Sequence, residues 1–209
     1  MKIFYTITFS LIIFSAGIFP AIGGEIKGKV QSDWVDSTKN IVVFIEDVAS
    51  PDKFPPPKVR PKMDQKNLTF IPHILPIVVG TTVDFLNSDK VQHNVFSPSG
   101  VNRFNLGSYP PGDFKSVKYN KPGKVVLLCN VHPEMSAYII VLKNPYFALT
   151  DADGKYVISN VPEGTYRLST WHKNLATSTV ELFVPEKGSV TANFNLFLGD
   201  PANLSKLLK

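Results

Sequence analysis

Between Ile26 and Phe197 the chain nowhere sustains the apolar period of about 3.6 residues that lets a helix bury one face. It offers short stretches instead: IKGKV, IVVFIED, LTFIPHI, ILPIVVG, TTVDFLN, HNVFSPS, FKSVKYN, KVVLLCN and AYIIVLK. Several alternate apolar and polar residues. Others are brief runs of Val, Ile and Phe, and Gly, Pro, Asn or Asp bound them all. A chain of this kind buries its apolar side chains by pairing strands, so the expected class is all-β, a sandwich or barrel. SPDKFPPPKVRPKMDQ (50–65) is polar and proline-rich and reads as a linker or extended loop. After Lys143 the texture changes. FALTDADGKYVISNVPEGTYRLSTW sets an Asp-Gly turn between two alternating runs, and TSTVELFVP and SVTANFNLF add two more strands. These read as a second, smaller antiparallel sandwich.

The chain opens with one lysine and a long apolar run, MKIFYTITFSLIIFSAGIFPAIGG, with small residues at Ala21-Ile22-Gly23. This reads as a secretory signal peptide over 1–23, which makes the protein exported, periplasmic or extracellular. An uncleaved anchor is the alternative, interrupted by Thr6, Ser10 and Ser15. No later stretch is apolar and long enough to span a bilayer as a helix.

Exported chains use cysteines in pairs, yet this one has a single cysteine, Cys129. It closes no internal disulfide, so it is a surface thiol, a buried apolar residue, a nucleophile or a metal ligand. Its context is CNVHPEM, which sets Cys129, His132 and Met135 three residues apart after the apolar VVLL. Two imidazoles, a thiolate and a distant thioether are the donor set of electron-transfer copper. The loop supplies all but one imidazole. His93, in DKVQHNVFS, is the candidate for the second, since it follows a strand and a short turn. Zinc would leave Met135 idle. A Cys-His nucleophile pair would need no methionine and would want oxyanion donors, for which no motif appears.

Residues 67–142 resemble a cupredoxin of the plastocyanin, pseudoazurin and amicyanin group. The resemblance rests on Phe70 and Pro72 in F-x-P, the Gly before a strand in VVGTTVDFLN, HNV at 93–95, and KPGKVVLLC leading into the Cys-His-Met loop. It implies a Greek-key β-sandwich binding one Cu(I)/Cu(II) ion through His93, Cys129, His132 and Met135. It also implies that Asn94 ties the ligand loops together near the thiolate, that Pro133 stiffens the loop, and that electrons pass at the edge of His132. Neither His73 nor His172 is made a ligand. His172, beside Trp171, is expected to cover a strand end.

A second resemblance is to carboxypeptidase-regulatory-like, or transthyretin-like, sandwiches. It rests on Gly28, Val30, Asp151, Asp153, Gly154, Tyr156, Pro162, Gly164 and Tyr166, which resemble turn and core positions of a non-catalytic module. The expected organisation is a leader at 1–23, the first strands of the small sandwich at 24–50, the cupredoxin domain at 51–143, the remainder of the small sandwich at 144–200, and a tail at 201–209 that forms at most a turn of helix.

The net charge is +5, and the basic excess lies between Lys58 and Lys143. It steers an acidic protein partner or simply maintains solubility. Nucleic acid is not an expected partner of an exported chain without a basic aromatic motif. The expected function is therefore a non-enzymatic, exported type 1 copper protein that carries single electrons between a redox donor and acceptor. The alternatives are a copper delivery or sequestration protein, or a surface module whose copper is incidental.

Overall fold

The computed structural model describes residues 23–48 and 54–199. Residues 1–22 of the expected leader and the tail at 201–209 lie outside them. In chain order the strands are β1 (Gly24–Gln31), β2 (Val42–Ile45), β3 (Lys62–Lys66), β4 (Thr69–Ile71), β5 (Ile74–Val78), β6 (Thr82–Asn87), β7 (His93–Ser97), β8 (Phe104–Tyr109), β9 (Phe114–Lys118), β10 (Gly123–Leu128), β11 (Ser136–Leu142), β12 (Phe147–Leu149), β13 (Lys155–Val161), β14 (Gly164–Trp171), β15 (Thr179–Val184), β16 (Ser189–Thr191) and β17 (Phe194–Asn195). The only helical element among the described residues is a 3-10 turn at Gly100–Asn102. The protein is all-β, and no described helix is long and apolar enough to cross a membrane.

Strands β3 to β11 pair only with one another. One sheet runs β4-β3-β6-β9 and the other β5-β11-β10-β7-β8. Their inner faces share a core. Met63, Phe70, Val83 and Phe85 come from the first sheet, and Val95, Val125, Leu127 and Ile139 from the second. The alternation of TVDFLN shows why: Val83, Phe85 and Asn87 are buried, while Thr82, Asp84 and Leu86 are partly open. Most pairings are antiparallel, with parallel pairs at β3·β6 and β5·β11.

The flanking strands build a second sandwich. β1 pairs antiparallel with β13 and parallel with β16 and β17, while the facing sheet runs β12-β2-β14-β15. Ile26, Val30, Tyr156 and Ile158 meet Val43, Ile45, Leu168 and Val184 in its core. The motif residues here do structural work. At Gly28 an added Cβ would lie 1.7 Å from the Ala192 carbonyl oxygen, and the Tyr156 hydroxyl donates to that same oxygen at 2.7 Å. Gly154 turns the chain at φ +76°. Asp151 closes the turn by accepting from the backbone N–H groups of Asp153 and Lys155.

β2 and β12 are antiparallel neighbours, Phe44 opposite Phe147, although β3 to β11 lie between them in sequence. A third apolar cluster joins the two sandwiches. Val42, with Phe44, Phe147, Leu149 and Trp171 around it, packs on Ile74, Ile140, Leu142 and Tyr138. This explains why β11 is almost continuously buried from Ile139 to Leu142 instead of alternating. Its inner face fills the larger core and its outer face meets the smaller sandwich.

The structure corrects the sequence reading at four places. Lys62–Lys66 is strand β3 and not linker, because Met63 and Gln65 alternate into the core once the prolines end at Pro61. Phe104–Tyr109 is a strand that the interrupting Gly107 and Ser108 had disguised. LTFIPHI is not one strand: Pro72 has no N–H to give a ladder, so β4 stops at Ile71 and β5 begins at Ile74. SVTANFNLF likewise divides into β16 and β17.

Candidate metal centre

Three side chains of one short loop, Cys129, His132 and Met135, and a fourth from far back in the chain, His93, gather at one end of the larger sandwich. Cys129 follows directly on β10, and the chain must then reverse into β11. His132-Pro133-Glu134-Met135 makes that reversal as a tight turn, the Met135 N–H donating to the His132 carbonyl at 3.0 Å. Pro133 occupies the second position of the turn, where its fixed φ is favourable. Met135 is thereby carried back into the core beside Cys129, and the two are 1% and 3% exposed. His93 is the first residue of β7, next to β10 in the sheet, and is fully buried.

The imidazoles meet through the same ring atom. Nδ1 of His93 lies 3.1 Å from Nδ1 of His132 and 4.0 Å from the Cys129 sulfur. The ligand atoms of the three residues all lie within 4.8 Å of one another. A trigonal ion with donors at about 2.0–2.3 Å would set its donors roughly 3.5–3.8 Å apart, so a gap of this size fits one metal ion. The donor set is soft: one thiolate-forming sulfur and two imidazoles, with a buried thioether nearby. Copper fits these residues.

Asp89 was not picked out from the sequence. Its carboxylate Oδ2 lies 3.0 Å from His93 Nε2, on the opposite side of the ring from Cys129, and its side chain is only 10% exposed. The backbone N–H of Leu68 donates to Oδ2 and that of Lys90 to Oδ1, both at 2.8 Å. These two N–H groups, and after them His93, hold the Asp89 carboxyl well below its ordinary value, at about 2. The loop that carries Asp89 is itself pinned. Buried Asn87 donates to the carbonyls of Val91 and Tyr109 and accepts from the Asp89 N–H. Asp64 accepts from the Ser88 N–H. The only sequence signal for Asp89 was its place four residues before His93.

Asn94 does something other than expected. Its side-chain N–H donates to Asn105 Oδ1 at 2.9 Å, tying β7 to β8, and its Oδ1 is buried without a partner. The expected bond toward the thiolate loop is not made, because the strand places the amide against β8. His73 and His172 sit away from the centre. His73 meets the Tyr138 ring edge-on, 5.6 Å between centroids, and Tyr138 in turn meets Trp171 at 5.3 Å. Burial pushes both imidazoles below their usual range, and nearby Lys173 adds to this. His172 also feels His73 across the seam between the sandwiches.

No protein-family profile and no curated protein matches the chain. Solved structures do. The chain is similar to a copper-containing nitrite reductase from Thermus scotoductus SA-01, 28% identical over 40% of this chain and 22% of that one, TM-score 0.38. It is similar to a purple cupredoxin from Nitrosopumilus maritimus, 25% identical over 39% of this chain and 98% of that one, TM-score 0.36. It is also similar to amicyanin from Paracoccus versutus, 21% identical over 49% of this chain and 98% of that one, TM-score 0.38. The chain thus spans about a fifth of the nitrite reductase's length, whereas the two small proteins are matched almost whole by less than half of it.

Proposed function

We propose that this protein is an exported type 1 copper protein that passes single electrons between redox partners and is not itself an enzyme. The observation that carries the reading is the convergence of His93 Nδ1, His132 Nδ1 and the Cys129 sulfur, with Met135 buried beside them. Copper bound here would supply a one-electron Cu(I)/Cu(II) couple. The chain's residues do the rest. His93 and His132 offer Nδ1 lone pairs, Cys129 offers a thiolate, and buried Met135 offers a thioether that need not move when the charge changes. A donor set packed into a sandwich core resists rearrangement, which suits electron transfer. His132 is the most open of the four and provides the point where a partner approaches.

Burial also weighs against the delivery reading. Cys129 is 3% exposed and His93 is fully enclosed, so an acceptor's own ligands have little access to the ion from their side. The primary test is the visible spectrum. Cu(II) added to the protein should give an intense thiolate-to-copper band and a reversible one-electron couple. Copper transfer to an apo-acceptor with no redox cycling would favour delivery instead.

Met135→Gln should keep copper bound but lower the reduction potential by about 60 mV or more, since a hard amide oxygen favours Cu(II), and 59 mV is tenfold for one electron. Voltammetry reads this directly, and an unmoved potential would mean that Met135 is not axial.

The basic surface gives a second test. Lys62, Lys66, Lys90, Lys118 and Lys121 are exposed, and none forms an ion pair among the described residues. If they steer an acidic redox partner, the bimolecular rate should fall about tenfold or more between roughly 0.01 M and 0.15 M salt. A rate indifferent to salt would leave these lysines a solubility role only.

A further inference from the structure

The Asp89 carboxylate ties its own β6–β7 loop to two other segments, the β3–β4 turn and the start of β7. Its first partner is the turn between β3 and β4. Asn67 and Leu68 make that turn with both residues left-handed, φ 52° and 55°. Asn tolerates this conformation, whereas a branched side chain such as Leu68 rarely adopts it. Leu68 is also 41% exposed, so burial of its side chain does not account for the conformation. What the turn does achieve is to present the Leu68 N–H to Asp89 Oδ2. The second partner is the N–H of Lys90, within the β6–β7 loop. The third is the ring of His93.

A carboxylate only accepts hydrogen bonds, so a His93 nitrogen held against it at 3.0 Å must carry the proton. That leaves the lone pair on Nδ1, the nitrogen that faces Cys129 and His132. The opposite tautomer would put a proton into the gap between the ligand atoms and a bare nitrogen against an anion. The carboxylate also brings a negative charge one imidazole away from that gap, on a side chain that is 10% exposed. In such a setting charge interacts more strongly than in water.

We propose that Asp89 is the positioning residue of this copper site: it fixes the Nε2–H tautomer of His93, aims Nδ1 at the metal, and biases the bound ion toward Cu(II). The proposal rests on the copper reading given above. The Leu68 turn, braced against the same carboxylate, holds the device in register.

The test is Asp89→Asn, compared with the wild-type protein by voltammetry and Cu(II) titration. Asn retains an oxygen acceptor of the same size but removes the charge. Cu(II) affinity should fall about 10–100-fold and Cu(I) affinity much less, so the Cu(I)/Cu(II) ratio at a fixed ambient potential should rise about tenfold or more. If wild type shows the thiolate-to-copper band and Asp89→Asn changes neither potential nor Cu(II) affinity, Asp89 is not a positioning residue and the copper reading stands. If wild type binds Cu(II) without that band, the copper reading fails and this proposal falls with it. Should the variant not fold, nitrogen-15 NMR of the wild-type Cu(I) protein decides alone. A protonated Nε2 and a metal-bound Nδ1 on His93 are expected, and an unprotonated Nε2 overturns the assignment.

Discussion

Cys129→Ser is expected to yield a folded, colourless protein. The substitution exchanges one atom in a position that is 3% exposed, next to Met135 and the inner faces of both larger sheets. Serine is slightly smaller than cysteine, so the cost of the change is a small void and a hydroxyl in place of a weakly polar thiol. Both are modest beside the loss of a large core side chain, and stability should drop by about 1–2 kcal/mol. The metal chemistry should change much more. The visible band of a type 1 site comes from a thiolate donating charge to Cu(II), and an alcohol is neither soft nor ionised in that position. Complete loss of the band is therefore expected while the far-ultraviolet circular dichroism remains that of a β-protein. Cu(II) affinity should fall as well, because His93 and His132 are left without their anionic companion. A band that survives the substitution would refute the assignment of Cys129, since the chain has no other thiol to replace it.

How far these features could be read from sequence differs by element, for physical reasons. TTVDFLN and KVVLLCN announce themselves because their side-chain alternation or apolar content matches a half-buried or buried strand. KMDQK does not. Only Met63 is apolar, and Gln65 is fully buried by hydrogen-bonding to the Leu86 carbonyl and the Tyr109 hydroxyl, a pairing invisible in one dimension. The centre divides in the same way. Cys129, His132 and Met135 lie within one turn of chain, so their spacing carries the signal. His93 is brought to them by the adjacency of β7 and β10, which a strand order can suggest. Asp89 sits between Ser88 and Lys90 in a polar loop and looks like a solvated charge. Its significance lies in a bond to Leu68 from another hairpin, and no periodicity records that. The stretch AYIIVLK reads as a strand, but its burial on both faces and the identity of its outer neighbour, the Val42 and Trp171 seam, follow only from the fold.

Separating the two sandwiches is expected to produce two folded pieces of unequal quality. We propose that the chain is organised as one sandwich inserted into another, at the tip of the β2–β12 hairpin. The junction supports this. Ile45 N–H donates to the Tyr146 carbonyl and Asn144 donates to the Ile45 carbonyl, so the chain leaves and returns at one point. Lys143 pairs with Asp47 across the same gap. Residues 55–143 expressed alone retain both of their sheets and all four candidate ligands, so they should bind copper with the visible band intact. Residues 24–48 joined to 144–199 through a short turn should also unfold cooperatively, because β1 and β2 keep every partner they have in the whole chain. Each piece loses the seam, however. Ile140 and Leu142 on one side, and Val42 on the other, go from at most 6% exposed to open. Exposing a large aliphatic side chain costs about 1.5–3 kcal/mol, so each piece should be several kcal/mol less stable than the same unit within the full protein. The piece comprising 55–143 should also self-associate through the bared face of β11. Denaturant melts of the two pieces and the parent measure all of this. If 55–143 folds only when 25–50 is restored to it, those first strands belong to the copper-bearing unit and the nested organisation is wrong.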